Sequence, residues 1–264
     1  MECRNCNLML ADEQKFCSDC GAKIIKQRLT VKNLWGEISE RFLNYDNTIL
    51  KTFTSLFKRP AEVIDGFISG VRKKYLNPVN YLALTATYSG LVFYLIKKFR
   101  PNYYSNLNFQ GQNNEAFAEF MNNFMDFQGF VYFLSIPLMA LVSVVVFLNI
   151  KKYNFTEHTV IYMYTGSQTS VLTSTLILIS LPFCEVAPLW LNAVTYTIMI
   201  GFNAYVLMKL FNLSLKGILL KTLLFLFVGT TFYILLVVFF GLLLGLYVII
   251  TGNIPEAFAP PNLK

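Results

Sequence analysis

Residues 218–250 read ILLKTLLFLFVGTTFYILLVVFFGLLLGLYVII, a run with one charged side chain, Lys221. The hydrocarbon core of a membrane is about 30 Å thick, and about 20 helical residues are needed to cross it. A helix of this length without a polar face has no place on the surface of a water-soluble domain. The run therefore predicts that this part of the chain crosses a membrane.

Four further apolar stretches of similar length lie upstream of this run. With it they predict five membrane-spanning helices at about 79–96, 129–148, 160–183, 187–209 and 222–249. The composition agrees, because 55% of the residues are hydrophobic and 14% are charged, whereas soluble domains carry about 25% charged residues. The predicted fold class is an all-α integral membrane protein with a five-helix transmembrane bundle and a small N-terminal cysteine-rich unit.

Span three differs from the other spans in its small and hydroxylated side chains. Gly166, Ser170 and Ser174 lie four residues apart along it, with Gln168 between them. Such residues let helices approach closely and hydrogen-bond to one another. We therefore expect this span to pack in the interior of the bundle. The alternative is that it lines a polar cavity that includes Gln168, with Asn192 and Asn203 of span four lining the same cavity or pairing with Gln168.

Two cysteine pairs, Cys3-x2-Cys6 and Cys17-x2-Cys20, open the chain. Two intervening residues let both sulfurs of a pair reach one ion, and two pairs form a tetrahedral four-thiolate set that suits zinc. We predict one structural Zn²⁺ at these four residues. Because protein sulfur fills every ligand position, no position is left for a substrate or water. The alternatives are cysteine pairs that bind no metal and a labile pair of disulfides.

The segment CRNCNLMLADEQKFCSDCGAKI, residues 3–24, resembles the short zinc ribbons at the N-termini of many bacterial membrane proteins. Those have the form C-x-x-C-G, a polar loop, and then F-C-x-x-C-G. Gly21 matches this form, and the chain departs from it at Asn7, a residue type that tolerates left-handed backbone. The resemblance implies zinc binding and protein contacts, and it implies nothing about a reaction.

The segment LKTFTSLFKRPAEVIDGFISGVRKKYLNPVNYL, residues 50–82, resembles an uncharacterised bacterial family, a domain of unknown function. That family joins a zinc ribbon to a multi-span membrane region through a Gly-x-Arg-x-x-Tyr-x-x-Pro entry box. The matching residues here are Gly70, Arg72, Tyr75 and Pro78 in the box, and Thr52, Leu56 and Pro60 upstream of it. The order of elements is also distantly similar to the Yip family of five-span membrane proteins. Neither resemblance implies a catalytic activity.

The predicted domain order follows from these segments. A zinc ribbon (1–24), a basic linker (25–33), amphipathic interfacial helices (34–77), a five-span domain (78–252) and a C-terminal tail (253–264) follow one another. The apolar positions in 34–77 recur at steps of three and four residues, which is typical of amphipathic helices. These helices either lie among the lipid headgroups or pack on the cytosolic end of the bundle, and the pattern fits both.

The positions of thiols and lysines predict the orientation. A thiolate metal site needs reduced sulfur, so the N-terminus is expected in the cytoplasm of a bacterial cell, with the chain in the cytoplasmic membrane. The positive-inside rule agrees for the loops that hold Lys151, Lys152, Lys209, Lys216 and Lys221. Five spans then place the C-terminus outside. A cluster at Lys97, Lys98 and Arg100 opposes this orientation.

Chemically reactive residues are sparse in the spans. No Asp, Glu or His falls in the middle of a predicted span, which disfavours carriers coupled to ions or protons. The single histidine, His158, is expected to lie with Glu157 in a solvated loop, and Cys184 is expected to be a packing residue. No phosphate-binding loop or nucleophile motif is present. We therefore expect no enzymatic activity.

The function expected from the sequence is that of a membrane anchor with a cytosolic docking module. The partners would be membrane lipids and a cytosolic protein that binds the ribbon. The net charge is +7, and the basic residues that produce it cluster beside the predicted spans. The positive-inside rule explains this distribution, so no nucleic-acid partner is expected. The alternative is a transporter or channel for a neutral or lipid-like solute, lined by span three.

Overall fold

A computed structural model of the chain describes residues 2, 3, 5–9, 11, 14, 16–21, 24, 48–100, 103, 128–184 and 188–251. The predicted linker (25–33), the interfacial region up to residue 47 and the tail (253–264) lie outside these residues. The chain divides into two compact units, Met1–Asn47 and Thr48–Lys264.

The first unit is built around its cysteines. Glu2 and Met9 form an antiparallel bridge that brings the two sides of the first cysteine pair together. Cys3 and Cys17 are the buried residues of its core, against which Cys6 and Ile24 pack. A unit this small cannot bury a hydrophobic core of useful size, so its stability depends on what the cysteines bind.

The second unit consists of helices in its described residues. They are α1 (48–58), α2 (Pro60–Ile68), α3 (Pro78–Phe99), α4 (Gln128–Val146), α5 (Phe155–Ser180), α6 (Leu189–Phe211) and α7 (Leu215–Thr251). The five predicted spans correspond to helices α3 to α7.

Local sequence explains where several of these helices begin and end. Pro78 occupies the first turn of α3, where its missing N–H is not needed, and the side chain of Asn77 accepts a hydrogen bond from the Val79 amide. Asn154 and Glu157 form a reciprocal capping box at the start of α5. Asn212 ends α6 in the left-handed conformation, at φ 51°.

Helix α5 lies at the centre of the unit. It packs against α2, α3, α4 and α6, and helices α4, α5, α6 and α7 form a ring in which each packs against its neighbours. Tyr164, Thr165, Ser167 and Gln168 on α5 have no exposed surface. The prediction that span three packs in the interior is confirmed.

The predicted number of spans is not matched in full. Within the described residues, four helical segments are long and apolar enough to cross a membrane: Pro78–Phe99, Gly129–Val146, Trp190–Phe211 and Leu215–Leu243. Helix α5 has the length, with 26 residues, but it is too polar to be among them. Its polar side chains are buried against other helices, so its composition reflects protein contacts and not contact with lipid.

Helices α1 and α2 pack onto the bundle. Leu56, Val63 and Ile64 are fully buried in the same cluster as residues of α5 and α6. This burial agrees with the second alternative for the described part of the interfacial region, in which the amphipathic faces pack on the end of the bundle.

Candidate functional site

The four cysteine sulfurs of the first unit form one cluster. All four Sγ atoms lie within 4.8 Å of one another, with 3.7 Å between Cys3 and Cys20 and 3.5 Å between Cys6 and Cys17. A tetrahedral ion with bonds of about 2.3 Å to sulfur requires sulfurs about 3.8 Å apart. A disulfide requires about 2.05 Å. No disulfide joins the described cysteines, and the cluster could hold a metal ion.

The backbone after each cysteine pair has the conformation that such a site needs. Asn7 and Gly21 have φ of 61° and 68°. The Asn7 amide donates to the Cys3 carbonyl oxygen, and the Gly21 amide donates to the Cys17 carbonyl oxygen. The left-handed backbone expected at both positions is confirmed, including at Asn7, where the chain departs from the ribbon pattern.

In the second unit, α1, α2 and the turn that leads into α3 (residues 48–77) form an entry segment. This segment is attached to α5 through the backbone of Leu76. The buried Leu76 amide donates to Oγ1 of Thr52 on α1, at 2.8 Å. Its carbonyl oxygen accepts a hydrogen bond of 2.7 Å from the hydroxyl of Tyr164 on α5. Both polar groups of one loop residue are therefore satisfied by buried side chains that are distant in sequence.

The residues of the predicted entry box hold the turn between α2 and α3. Gly70 has φ 107°, which other residues rarely adopt. Arg72 stacks on the Phe67 ring at 4.0 Å and donates to the Phe67 carbonyl oxygen. Tyr75 donates to the carboxylate of Glu62 at 2.8 Å. The box is thus a set of contacts that fixes the path of the chain into α3.

Charged groups reinforce this turn. Lys74 and Tyr75 both donate hydrogen bonds to Glu62, and these bonds lower the pKa of its carboxyl group. One turn farther along α2, Tyr153 donates to Asp65 at 2.5 Å. Lys152, 3.4 Å from the same carboxylate, also donates to a carbonyl oxygen of α6. The acidic residues of α2 thus link it to two neighbouring segments.

Gln168 is a second attachment point, and it is not among the lining residues of the two cavities described below. Its Oε1 accepts a 2.5 Å hydrogen bond from Tyr81 on α3, and its Nε2 donates to the Phe53 carbonyl oxygen on α1 at 3.2 Å. The side chain has no exposed surface. Because both ends of the amide are satisfied, Gln168 holds three helices together.

A cavity of about 230 Å³ lies inside the ring of α4, α5, α6 and α7. Most of its walls are apolar. Its polar groups include Asn203, Thr169 and the hydroxyl of Tyr162. The amide oxygen of Asn203 is buried and accepts no hydrogen bond from the described part of the chain. Lys221 lines the cavity too, and its ammonium group donates to Val146 and Asn149 at the end of α4.

A second cavity, of about 430 Å³, lies between α3, α4 and α5. Hydroxyl groups line one wall. The Ser89 oxygen lies 2.6 Å from that of Ser170 and 3.0 Å from that of Ser174, so the three hydroxyls form a hydrogen-bonded group between α3 and α5. Sequence reasoning identified the small residues of this wall by their four-residue spacing, but it did not show which of them face a cavity.

His158 is not where the sequence predicted it. It lies in the first turn of α5 and is 2% exposed, in contact with the rings of Phe147, Tyr153 and Phe211. The carboxylate of the neighbouring Glu157 accepts a hydrogen bond from the Asn154 amide, as part of the capping box. The expected solvated pair in a loop is therefore wrong, because the aromatic residues of three segments converge on this turn. Cys184 is half-buried in an apolar cluster, as expected.

Comparison with known proteins gives one match. Residues 46–90 match the model of a family described as a protein of unknown function (DUF3667). This region contains α1, α2, the turn and the first half of α3. No curated protein and no solved structure matches the chain. The matched region therefore includes the entry segment that is hydrogen-bonded to α5. Because the family has no known function, the match assigns no activity.

The attachment through Leu76 predicts a loss of stability on Tyr164→Phe. The change leaves the buried Leu76 carbonyl oxygen without its donor, which should cost about 1–3 kcal/mol and lower the melting temperature of the protein in detergent. Tyr196→Phe is the matched control, since Tyr196 is 64% exposed on α6. Equal melting of the two variants would contradict the assigned role of this hydrogen bond.

Proposed function

We propose that the cysteine cluster binds one structural Zn²⁺ and serves as a docking module for a cytosolic protein, with the helical unit as its membrane anchor. The sulfur spacing is the observation that carries this proposal. Four thiolates suit zinc, and they leave no open ligand position for chemistry. A metal site with no open ligand position can stabilise the fold of this small unit, and the folded unit then offers a binding surface to a partner.

The proposed membrane topology has five spans. Helix α5 would cross inside the bundle, where its polar groups meet those of α3 and not lipid. The N-terminus would lie in the cytoplasm of a bacterial cell and the C-terminus outside, in agreement with the lysines near the other helix ends. The opposing Lys97 and Lys98 lie in the last turn of α3, where positive charge is favoured by the helix dipole on either side of a membrane.

A second candidate function is the passage of a neutral or lipid-like solute along α5. The observation in its favour is that two cavities lie against this helix and that both carry hydroxyl groups in largely apolar walls. Most binding sites for small molecules combine these properties. This candidate does not compete with the first, since it concerns the other unit of the chain.

Cys17→Ser tests the docking proposal. Replacing one of four thiolates should remove zinc from the purified protein and abolish co-purification of the partner from native membranes. The melting temperature of the helical unit should not change, because Cys17 belongs to the other compact unit. With the tagged full-length chain prepared without chelators, elemental analysis measures zinc, quantitative mass spectrometry measures the partner, and a thermal-shift assay measures melting.

Cys184→Ser is the matched control for this experiment. Its thiol lies in the helical unit, so zinc and partner should both remain. Wild-type protein without zinc would contradict the metal assignment. If the partner binds Cys17→Ser as well as it binds wild type, the docking role is contradicted. The assignment of zinc to the four cysteines is not affected by that result.

The topology predicts the location of a reporter fused after Lys264. With five spans and a cytoplasmic N-terminus, an enzyme that is active only outside the cytoplasm should be active there. The matched fusion at Lys152, in the link between α4 and α5, should be inactive. Inactivity of both fusions would mean that an even number of helices crosses, with α5 as the first helix to be excluded, and activity at Lys152 with inactivity at Lys264 would mean that the N-terminus lies outside.

A further inference from the structure

The two cavities are arranged end to end along α5. The one inside the ring reaches from Tyr162 to Thr169, and the other reaches from Gly166 to Ile177. From Tyr162 to Ile177 the helix rises about 22 Å, which is most of the roughly 30 Å thickness of a membrane core. The cavities therefore follow one helix through most of the distance that a permeating solute would travel.

Four residues belong to the walls of both cavities: Tyr132, Gly166, Thr169 and Met199. Tyr132 projects from α4 toward α5 at this point. Its hydroxyl lies 3.5 Å from where a Cβ atom on Gly166 would be. The large ring of Tyr132 therefore lies opposite a glycine at the place where the walls of the two cavities meet.

Packing holds the Tyr132 side chain in this position, against the buried cluster of Leu82, Ile136, Ala140 and Tyr162. The hydroxyls of Thr85, Ser167 and Ser170 surround its own hydroxyl, but none forms a hydrogen bond of normal geometry with it, and the oxygen is buried. Its ring meets Phe133 edge-on at 5.9 Å. Because this hydroxyl has no hydrogen bond of normal geometry to lose, displacing the ring breaks packing contacts and no hydrogen bond.

The walls indicate which solutes suit this path. Of the described residues that line the two cavities, Lys221 alone is charged, and it is engaged at the end of α4. Ser89, Ser170 and Ser174 offer hydroxyls in one cavity, and the amide oxygen of Asn203 requires a donor in the other. A hydroxyl group on the solute both donates and accepts, and would satisfy each of these groups in turn.

We propose that the two cavities form one path for small neutral solutes that carry hydroxyl groups, and that the ring of Tyr132 is the gate between its halves. This inference rests on the second candidate function. It adds the class of solute and the residue that controls passage.

The test uses the full-length protein in liposomes with glycerol as the probe. Glycerol entry is followed by light scattering after an osmotic step. Tyr132→Ala should remove the obstruction and increase the rate at least tenfold over wild type. Tyr132→Phe keeps the ring and should remain near the wild-type rate. Tyr196→Ala, on an exposed face of α6, is the matched control and should not change it.

Two further variants keep the test decisive. Gly166→Val adds bulk beside Tyr132 and, combined with Tyr132→Ala, should return the rate toward wild type. If Tyr132→Ala does not purify as a folded protein, Tyr132→Leu removes the ring at a smaller loss of volume. A trapped anionic dye should stay inside the liposomes with every variant, since a general leak would release it.

Each outcome bears on a different part of the proposal. Glycerol entry at the rate of empty liposomes in all variants would overturn the path itself, and with it the second candidate function. Entry through wild type and Tyr132→Ala at equal rates would keep the path and overturn the gate. Faster entry of water without glycerol would overturn the solute class, and dye release would overturn selectivity.

Discussion

The helical unit depends on one constraint: the polar side chains of α5 must find their partners inside the protein. Lipid offers no hydrogen bonds, so a helix that carries Gln168 and a series of hydroxyls is stable in a membrane only if other helices cover it. Tyr81 satisfies Gln168, and Ser89 satisfies Ser170. Helices α3, α4 and α6, which pack against α5, are apolar enough for their outer surfaces to face lipid.

The segment before α3 serves the same constraint in the middle of α5, at Tyr164 and Gln168. Hydrogen bonds at Leu76 and Gln168 join α5 to α1 and to the turn before α3. The region that matches a family of unknown function therefore contains a segment that covers this part of the polar helix. The polar residues of this segment explain how the fold is held together.

The sequence was sufficient to predict features that depend on the spacing of residues close together in the chain. The two cysteine pairs, the left-handed residues after them and the interior position of span three all follow from patterns a few residues long. It could not predict pairs such as Thr52 with Leu76 or Tyr164 with Leu76, which are 24 and 88 residues apart. The burial of His158 was missed for the same reason, because its aromatic neighbours come from three segments. The zinc identity and the docking partner stay predictions.

The most direct test of this account is a cross-link between α3 and α5 in native membranes. The Ser89 and Ser170 oxygens lie 2.6 Å apart, so cysteines at both positions should form a disulfide under mild oxidation, identified by mass spectrometry of the linked peptides. Cysteines at Ser89 and at the exposed Thr197 of α6 should not. Absence of the first link, or equal formation of both, would contradict a polar α5 enclosed by the bundle.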